Sequence, residues 1–337
     1  MLLAELTNLS GASGNEKKVR EFIISQISDY CDEIKIDAIG NVIALKKGIQ
    51  DKKIMLAAHM DEVGFIISEI TDKGFLKFKT VGGIDVRTFL AKRLKIGENE
   101  VLGVIGMKAV HLQKKSEKDE VPEIRDLYID IGAKDRKSAE KLVKLGDYAV
   151  FETKFEKLGE DTVKAKALDD RAGCAVLIEL IKKPQKYDTY FCFTAQEEVG
   201  LRGARLAAYR IKPDISLVIE ATSCSDVYGF EPYERVTKMG AGAAVTFMDR
   251  TTIVNDTLRK KIFEMAKAAN IPVQYKCSTS GGNDAGRLHI SRDGIKTAAI
   301  SLPCRYIHSC ASVASLSDLE AVKNLAQLFL ERIDEVL

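Results

Sequence analysis

The chain has 337 residues, 46% hydrophobic and 30% charged, which is enough for one large or two ordinary domains and too apolar for disorder. Its 51 Lys and Arg against 49 Asp and Glu leave no excess charge to hold nucleic acid or a lipid surface. No apolar run reaches the ~20 residues of a membrane helix, the N-terminus lacks the basic start of a signal peptide, and seven cysteines without a Cys-x-x-Cys pair suit a reduced, cytoplasmic chain. In chain order, GNEKKVREFIISQISDYC puts Val19, Phe22, Ile23 and Ile27 on one helical face. EIKIDAIGNVIALKKG reads as two strands around a turn at Gly40-Asn41. IMLAAHMDEVGF is an apolar strand that ends in His59, Asp61 and Glu62, three groups costly to bury without partners. From about residue 66 to 160 the texture changes to short alternating segments separated by glycines, such as FLKFKTVGG and RLKIGENEVLGVIGMKAV. That pattern predicts a small antiparallel β unit, interrupted by one helical patch, DRKSAEKLVKLGD. Beyond it GCAVLIELIKK, TYFCFTAQEEVG, GARLAAYRI and ISLVIEAT alternate helix and strand, as in a largely parallel sheet. The predicted fold is therefore α/β, a mixed, largely parallel sheet sandwiched by helices, built from residues 1–65 and 161–337, with a small β-rich domain inserted at 66–160.

Acids or histidine stand at the ends of several apolar strands. They are His59 with Asp61 and Glu62, Asp169-Asp170, Glu197-Glu198 after FCFTAQ, Glu220 after SLVI, and His308 after KTAAISL. In an open α/β sheet, ligands bind outside the carboxyl ends of the strands, so these separated segments converge on one crevice. Each has an ordinary reading as well. One aspartate of Asp169-Asp170 can cap the following helix, Glu197-Glu198 can be a solvated pair, and His111 and His289 read as ordinary histidines. Taken together, two histidines and several carboxylates without a thiolate set suit Zn²⁺, Co²⁺ or Mn²⁺. His59, Asp169, Glu198, Glu220 and His308 supply ligands for two divalent ions, and Glu197 is left as a general base. Asp61, two residues beyond His59, is placed to accept the second imidazole N–H.

LSGASGNE, DAIGNVIA, AAHMDEVGF, KAKALDDRAG, TAQEEVGLRGA, SGGNDAG and RYIHS run in order over nearly the whole chain. In these the chain resembles the tetrahedral dinuclear-metal aminopeptidases, glutamyl and deblocking enzymes also labelled cellulase M or endoglucanase. The resemblance implies a zinc-peptidase-like fold. It implies one metal on His59, Asp169 and Glu220, and a second on Asp169, Glu198 and His308, with Asp169 bridging. Glu197 would serve as base and acid toward a metal-bridged water, and Asp61 as the histidine's partner. It further implies a cis Asp169-Asp170 bond, an inserted domain that mediates dimerisation, and dimers assembled into dodecamers. Glu220 stands where many members carry Asp, and Cys304 and Cys310 flank His308 where members more often carry Thr and Pro. The cysteines read as small packing residues, with a soft ligand or an oxidation-sensitive neighbour as the alternative.

The expected activity is removal of N-terminal residues from peptides, with no side-chain preference legible. Two other readings stand beside it, an endo-glucan hydrolase and a non-catalytic assembly protein. Paired acids suffice for glycoside hydrolysis, but that chemistry needs neither His59 nor His308, and the chain has no Trp and only 7% aromatic residues.

Overall fold

The structure, a computed structural model, describes residues 1–114 and 120–337. An eleven-stranded sheet forms its main body. At the centre lie four parallel strands in the order Tyr187–Thr194, Gln50–His59, Ile215–Ser223 and Lys296–Arg305. The flanking strands are antiparallel to this block, Val42–Lys46 against Tyr187–Thr194 and Ser312–Ser315 against Lys296–Arg305, so the sheet is mixed.

Side chains in the central strands alternate between two apolar layers, because successive residues of a strand face opposite ways. Ile54, Leu56 and Ala58 join the large core shared with helices Leu2–Asn8, Leu168–Leu180 and Leu316–Glu331. Met55 and Ala57 join the smaller core beneath helices Arg202–Ile211 and Ala285–Leu288. A strand buried on both faces reads as a continuous apolar run, which is why IMLAA carries no polar alternation. Ser315 caps Leu316–Glu331 by accepting the Asp318 N–H, and Asp37 closes the Glu33–Ile36 to Val42–Lys46 hairpin by accepting three backbone N–H groups. Among the described residues, no helix is long and apolar enough to cross a membrane.

The β-rich segment is a closed barrel of six antiparallel strands lying between Gly64 and Phe151. Phe65 sits at its centre, edge-on to Phe78, Phe89 and Phe151, each at 5.3 Å between ring centroids. The helical patch in this region is the short helix Arg136–Glu140, held by an Asp135–Ser138 capping box. Strand Glu156–Leu158, which shares the alternating texture of the barrel, pairs with Thr162–Ala165 at the edge of the main sheet instead.

Candidate metal centre

The carboxyl ends of the four parallel strands open on one crevice. His59 is the last residue of its strand and lies level with Thr194 of the neighbour. Glu220 lies near the end of Ile215–Ser223. His308 follows Lys296–Arg305, and Glu197 and Glu198 follow Tyr187–Thr194 in a turn closed by the Gly200 N–H on the Glu197 carbonyl. Asp169 arrives from the other side, at the start of Leu168–Leu180. Ala167, Gln196 and His308 hold left-handed φ angles of +52°, +58° and +56°, a conformation non-glycine residues adopt only where the surroundings over-determine it. The Asp169-Asp170 peptide bond is cis.

All five ligand candidates come together. Asp169 stands between the histidines, with Oδ1 3.2 Å from His59 Nε2 and Oδ2 3.3 Å from His308 Nε2. Glu220 Oε1 lies 3.3 Å from His59 Nε2, and Glu198 Oε2 lies 3.3 Å from His308 Nε2. Two sets each bring one ligand atom per residue to within 4.8 Å of one another, His59 with Asp169 and Glu198, and His59 with Glu197 and Glu220. Glu197 is thus close enough to ligate as well. Among the described residues, none of Asp169, Glu197, Glu198 and Glu220 is paired with a lysine or arginine, and the buried Glu198 Oε1 and Glu220 Oε2 have no hydrogen-bond partner. Burial pushes the Glu198 carboxyl up to about 7 and the Glu220 carboxyl up to about 8, and raises that of Glu197 well above the carboxylate range. Burial alone would lower the His59 pKa, but Glu220 and Asp169 outweigh it and raise it well above its usual value. Crowded acids with orphaned oxygens and no protein cation are a donor set that fits divalent metal ions.

The acids beside His59 divide in role. The nearer acceptor for His59 Nδ1 is the Asp61 backbone carbonyl at 3.0 Å, with the Asp61 carboxylate at 3.5 Å. That carboxylate also accepts the Glu197 and Glu198 N–H groups at 3.0 and 3.1 Å and the Ser13 hydroxyl at 2.6 Å. Asp61 therefore ties the histidine strand to the turn that carries both glutamates. Glu62 stands outside the ligand cluster, and its cations are protein groups, Lys166 Nζ at 2.6 Å and Arg171 Nη2 at 3.2 Å. Asp170 caps the helix at Gly173 N, 2.9 Å, and accepts the His59 N–H at 3.3 Å.

Cys304 is fully buried in the main core and Cys310 packs against the barrel core. Neither joins a ligand group among the described residues. His111 is exposed and His289 bonds to its own helix at Ala285 O. Sequence reasoning passed over Ser13 and Asp284. Asp284 is fully buried and accepts the Thr194 hydroxyl beneath the site. Ser13 and Asp284 lie within two of the shared motifs, LSGASGNE and SGGNDAG, the one signal that pointed to them.

A family model described as M42 glutamyl aminopeptidase matches residues 40–325. An aminopeptidase-type protein of Acetivibrio thermocellus is 45% identical, the match covering 98% of this chain and 97% of that protein. A lysyl aminopeptidase of Pyrococcus furiosus is 32% identical over 98% of this chain and 96% of its own length. Among solved structures, the TET1 peptidase of Pyrococcus horikoshii, which can assemble into a tetrahedron or a large octahedral shell, superposes with a TM-score of 0.88. It is 36% identical, with 97% of this chain and 98% of that one covered. The family match over most of the sequence, joined to the full-length relatives and the shared fold, places this chain in the M42 aminopeptidase family, as a hydrolase of the aminopeptidase type.

Proposed function

We propose that the chain is a two-metal aminopeptidase. His59, Asp169 and Glu220 would hold one divalent ion and Asp169, Glu198 and His308 the other, with Zn²⁺ or Co²⁺ favoured and Mn²⁺ next. The observation that carries this reading is Asp169, whose two carboxylate oxygens each face a different histidine at 3.2 and 3.3 Å. Bound there, such ions supply Lewis-acid polarisation of the scissile carbonyl and an acidified water. Glu197 accepts the water's proton on a carboxylate oxygen and returns it to the nitrogen of the leaving amine. Asp61 orients the His59 ring and holds the Glu197 turn. The remaining carboxylate surface receives the free α-amine of the peptide, which restricts cleavage to its N-terminal residue. The cavity beside these groups has no Phe, Tyr or Trp in its wall among the described residues, which disfavours a sugar substrate. Elemental analysis should find about two divalent ions per chain, and the loaded enzyme should release p-nitroaniline from aminoacyl-p-nitroanilides. Turnover of β-glucan with no aminopeptidase activity would refute the reading in favour of a glucanase.

Metal removal should expose the charge imbalance. In the stripped protein Glu198 and Glu220 titrate in the folded state at about 7 and about 8, above the ordinary 4.5. The folded state then binds more protons than the unfolded one between these values, so stability falls as pH rises through that window. His308, raised to about 9 chiefly by Asp169 and Glu198 in spite of its burial, adds to the fall in the same direction. The melting temperature of chelated protein should drop from pH 6 to pH 9, and saturating metal should abolish most of that drop. A flat or rising profile in the chelated protein would contradict it.

In this proposal the main sheet with its helices forms the catalytic domain and the barrel mediates dimerisation, with the boundaries expected at 65/66 and 160/161 shifted because Gly64 and Phe65 already belong to the barrel and Glu156–Leu158 belongs to the main sheet. Dimers assemble further into a dodecamer, and the shell-forming relative supports assembly beyond a dimer. Light scattering at micromolar concentration should give a mass well above a dimer, and a monomer would overturn it. All seven cysteines are free thiols, in keeping with a reducing, cytoplasmic compartment.

A further inference from the structure

The turn that carries Glu197 and Glu198 borders two cavities. Glu197 lines the one at the metal centre, whereas Gln196 and Gly200 line a separate groove of about 850 Å³. Helix Arg202–Ile211 contributes much of that groove. Its residues Ala204, Ala207, Ala208 and Ile211 pack into the smaller core. Arg202, Arg205, Leu206 and Tyr209, spaced i, i+3, i+4 and i+7, therefore form a stripe on the other face, and all four line the groove. Arg287 of helix Ala285–Leu288 joins them, with Ile290 and Arg292 from the chain just beyond it.

Four arginines and no Asp or Glu line the groove. In a chain with 51 basic and 49 acidic residues, an ordinary surface intersperses the two signs. Arg171 and Arg305 follow that rule elsewhere, each bonding a carboxylate. In the groove, Arg202 bonds the Gln196 side-chain oxygen at 3.2 Å and Arg292 the Tyr209 carbonyl at 3.0 Å. Among the described residues, none of the four arginines is paired with a carboxylate. Between them Leu206, Tyr209 and Ile290 are 44%, 62% and 58% exposed. A fitting ligand therefore carries several anionic groups with apolar groups among them. A lone phosphate would leave most of the volume empty. A nucleic acid strand needs open aromatic faces for its bases, and the only Phe, Tyr or Trp among the described wall residues is Tyr209, whose ring already has Arg292 4.0 Å from its centroid. An acidic peptide meets both demands, since guanidinium forks match carboxylates and apolar side chains between the acids can cover Leu206 and Ile290.

We propose that this groove is a docking site for an acidic segment of a partner protein, its carboxylates held by Arg202, Arg205, Arg287 and Arg292 and its interspersed apolar side chains by Leu206 and Ile290. The surface is distinct from the metal-centre cavity, so docking requires neither a metal ion nor a free α-amine on the segment.

The test titrates metal-loaded protein into a short peptide that alternates Glu-Glu with Leu, its N-terminus capped by fluorescein so that no free α-amine is left, and reads fluorescence anisotropy. Saturable binding is expected at micromolar protein, weakening as ionic strength rises. The same peptide with Gln in place of every Glu should bind at least tenfold more weakly. Arg205→Glu and Arg287→Glu should each weaken binding several-fold and together at least tenfold. Arg210→Glu reverses a charge on the same helix outside the groove and should stay within twofold of wild type. Melting curves identify any variant that fails to fold, and the remaining variant with the Glu-to-Gln comparison still decides the matter. Absence of saturable binding, equal binding of the Gln peptide, or equal weakening by Arg205→Glu and Arg210→Glu overturns the proposal. Tighter binding of a single-stranded oligonucleotide of equal charge overturns it in favour of nucleic acid. A smaller particle mass for the double variant in light scattering overturns it in favour of a contact between copies of this chain. None of these readouts uses peptide cleavage, so this proposal and the aminopeptidase reading stand or fall separately.

Discussion

Glu197→Gln is expected to lower kcat by about 10²–10⁴-fold, the usual cost of removing a general base, with metal content near the wild-type value. Glutamine keeps the size of glutamate and an oxygen that accepts hydrogen bonds, so the turn survives, because Asp61 holds it through backbone N–H groups rather than through the side chains. What disappears is the group that takes the proton from water. Glu198→Gln is expected to behave differently. Glu198 faces His308 and carries a buried oxygen without a partner, so its loss should strip or weaken one metal, with activity partly recovered in excess metal. The geometry makes this pair of variants decisive, because Glu197 also lies within ligating reach of His59 and Glu220. Metal analysis of both proteins separates the roles. If Glu197→Gln empties a site while Glu198→Gln leaves both filled, the assignment is reversed. If neither variant loses more than a few fold in rate, the mechanism is wrong.

Glu62→Gln should cost stability rather than chemistry, by about 3–5 kcal/mol, the range for breaking a buried ion pair from one side. Glu62, Lys166 and Arg171 are 3%, 2% and 0% exposed. Glu62 also accepts the Gly11 N–H at 3.1 Å, while Arg171 bonds the carbonyls of Met60 and Leu6 at 2.7 and 2.6 Å. The network fastens the N-terminal segment to the corner beyond His59 and to the helix Leu168–Leu180. Without the carboxylate, two enclosed cations face each other. Lys166 is already held down to about 8 by burial, so it can shed its proton when its partner is lost, which moves the expected cost toward the lower end. The measurement is the denaturant midpoint at constant m, together with kcat per folded molecule, which should stay within a few fold of wild type. A midpoint shift equivalent to less than about 1 kcal/mol, the scale of an exposed pair, would show that the network contributes little.

Much of this protein was legible from local pattern. The apolar run ending at His59 and the βα alternation after residue 161 reflect which faces of an element meet the core, a property carried by neighbouring residues. The same pattern marked the strand ends, and the structure brings His59, Asp169, Glu197, Glu198, Glu220 and His308 to one crevice because parallel strands present their carboxyl ends on one side. Other features depended on residues far apart in the chain. Barrel closure pairs Phe65 with Ala149, and Glu156–Leu158 leaves the barrel texture to join the main sheet, since β texture records alternation but not the partner. His59, Asp61 and Glu62 look alike as strand-end polar groups, yet Glu62 meets Lys166 and Arg171, more than 100 positions on, and the Asp61 carboxylate reaches the Glu197 turn. Hydrophobic periodicity is a sum over neighbours and can be read along the chain, whereas the pairing of a buried charge is a single contact across it, and only the folded arrangement selects that contact.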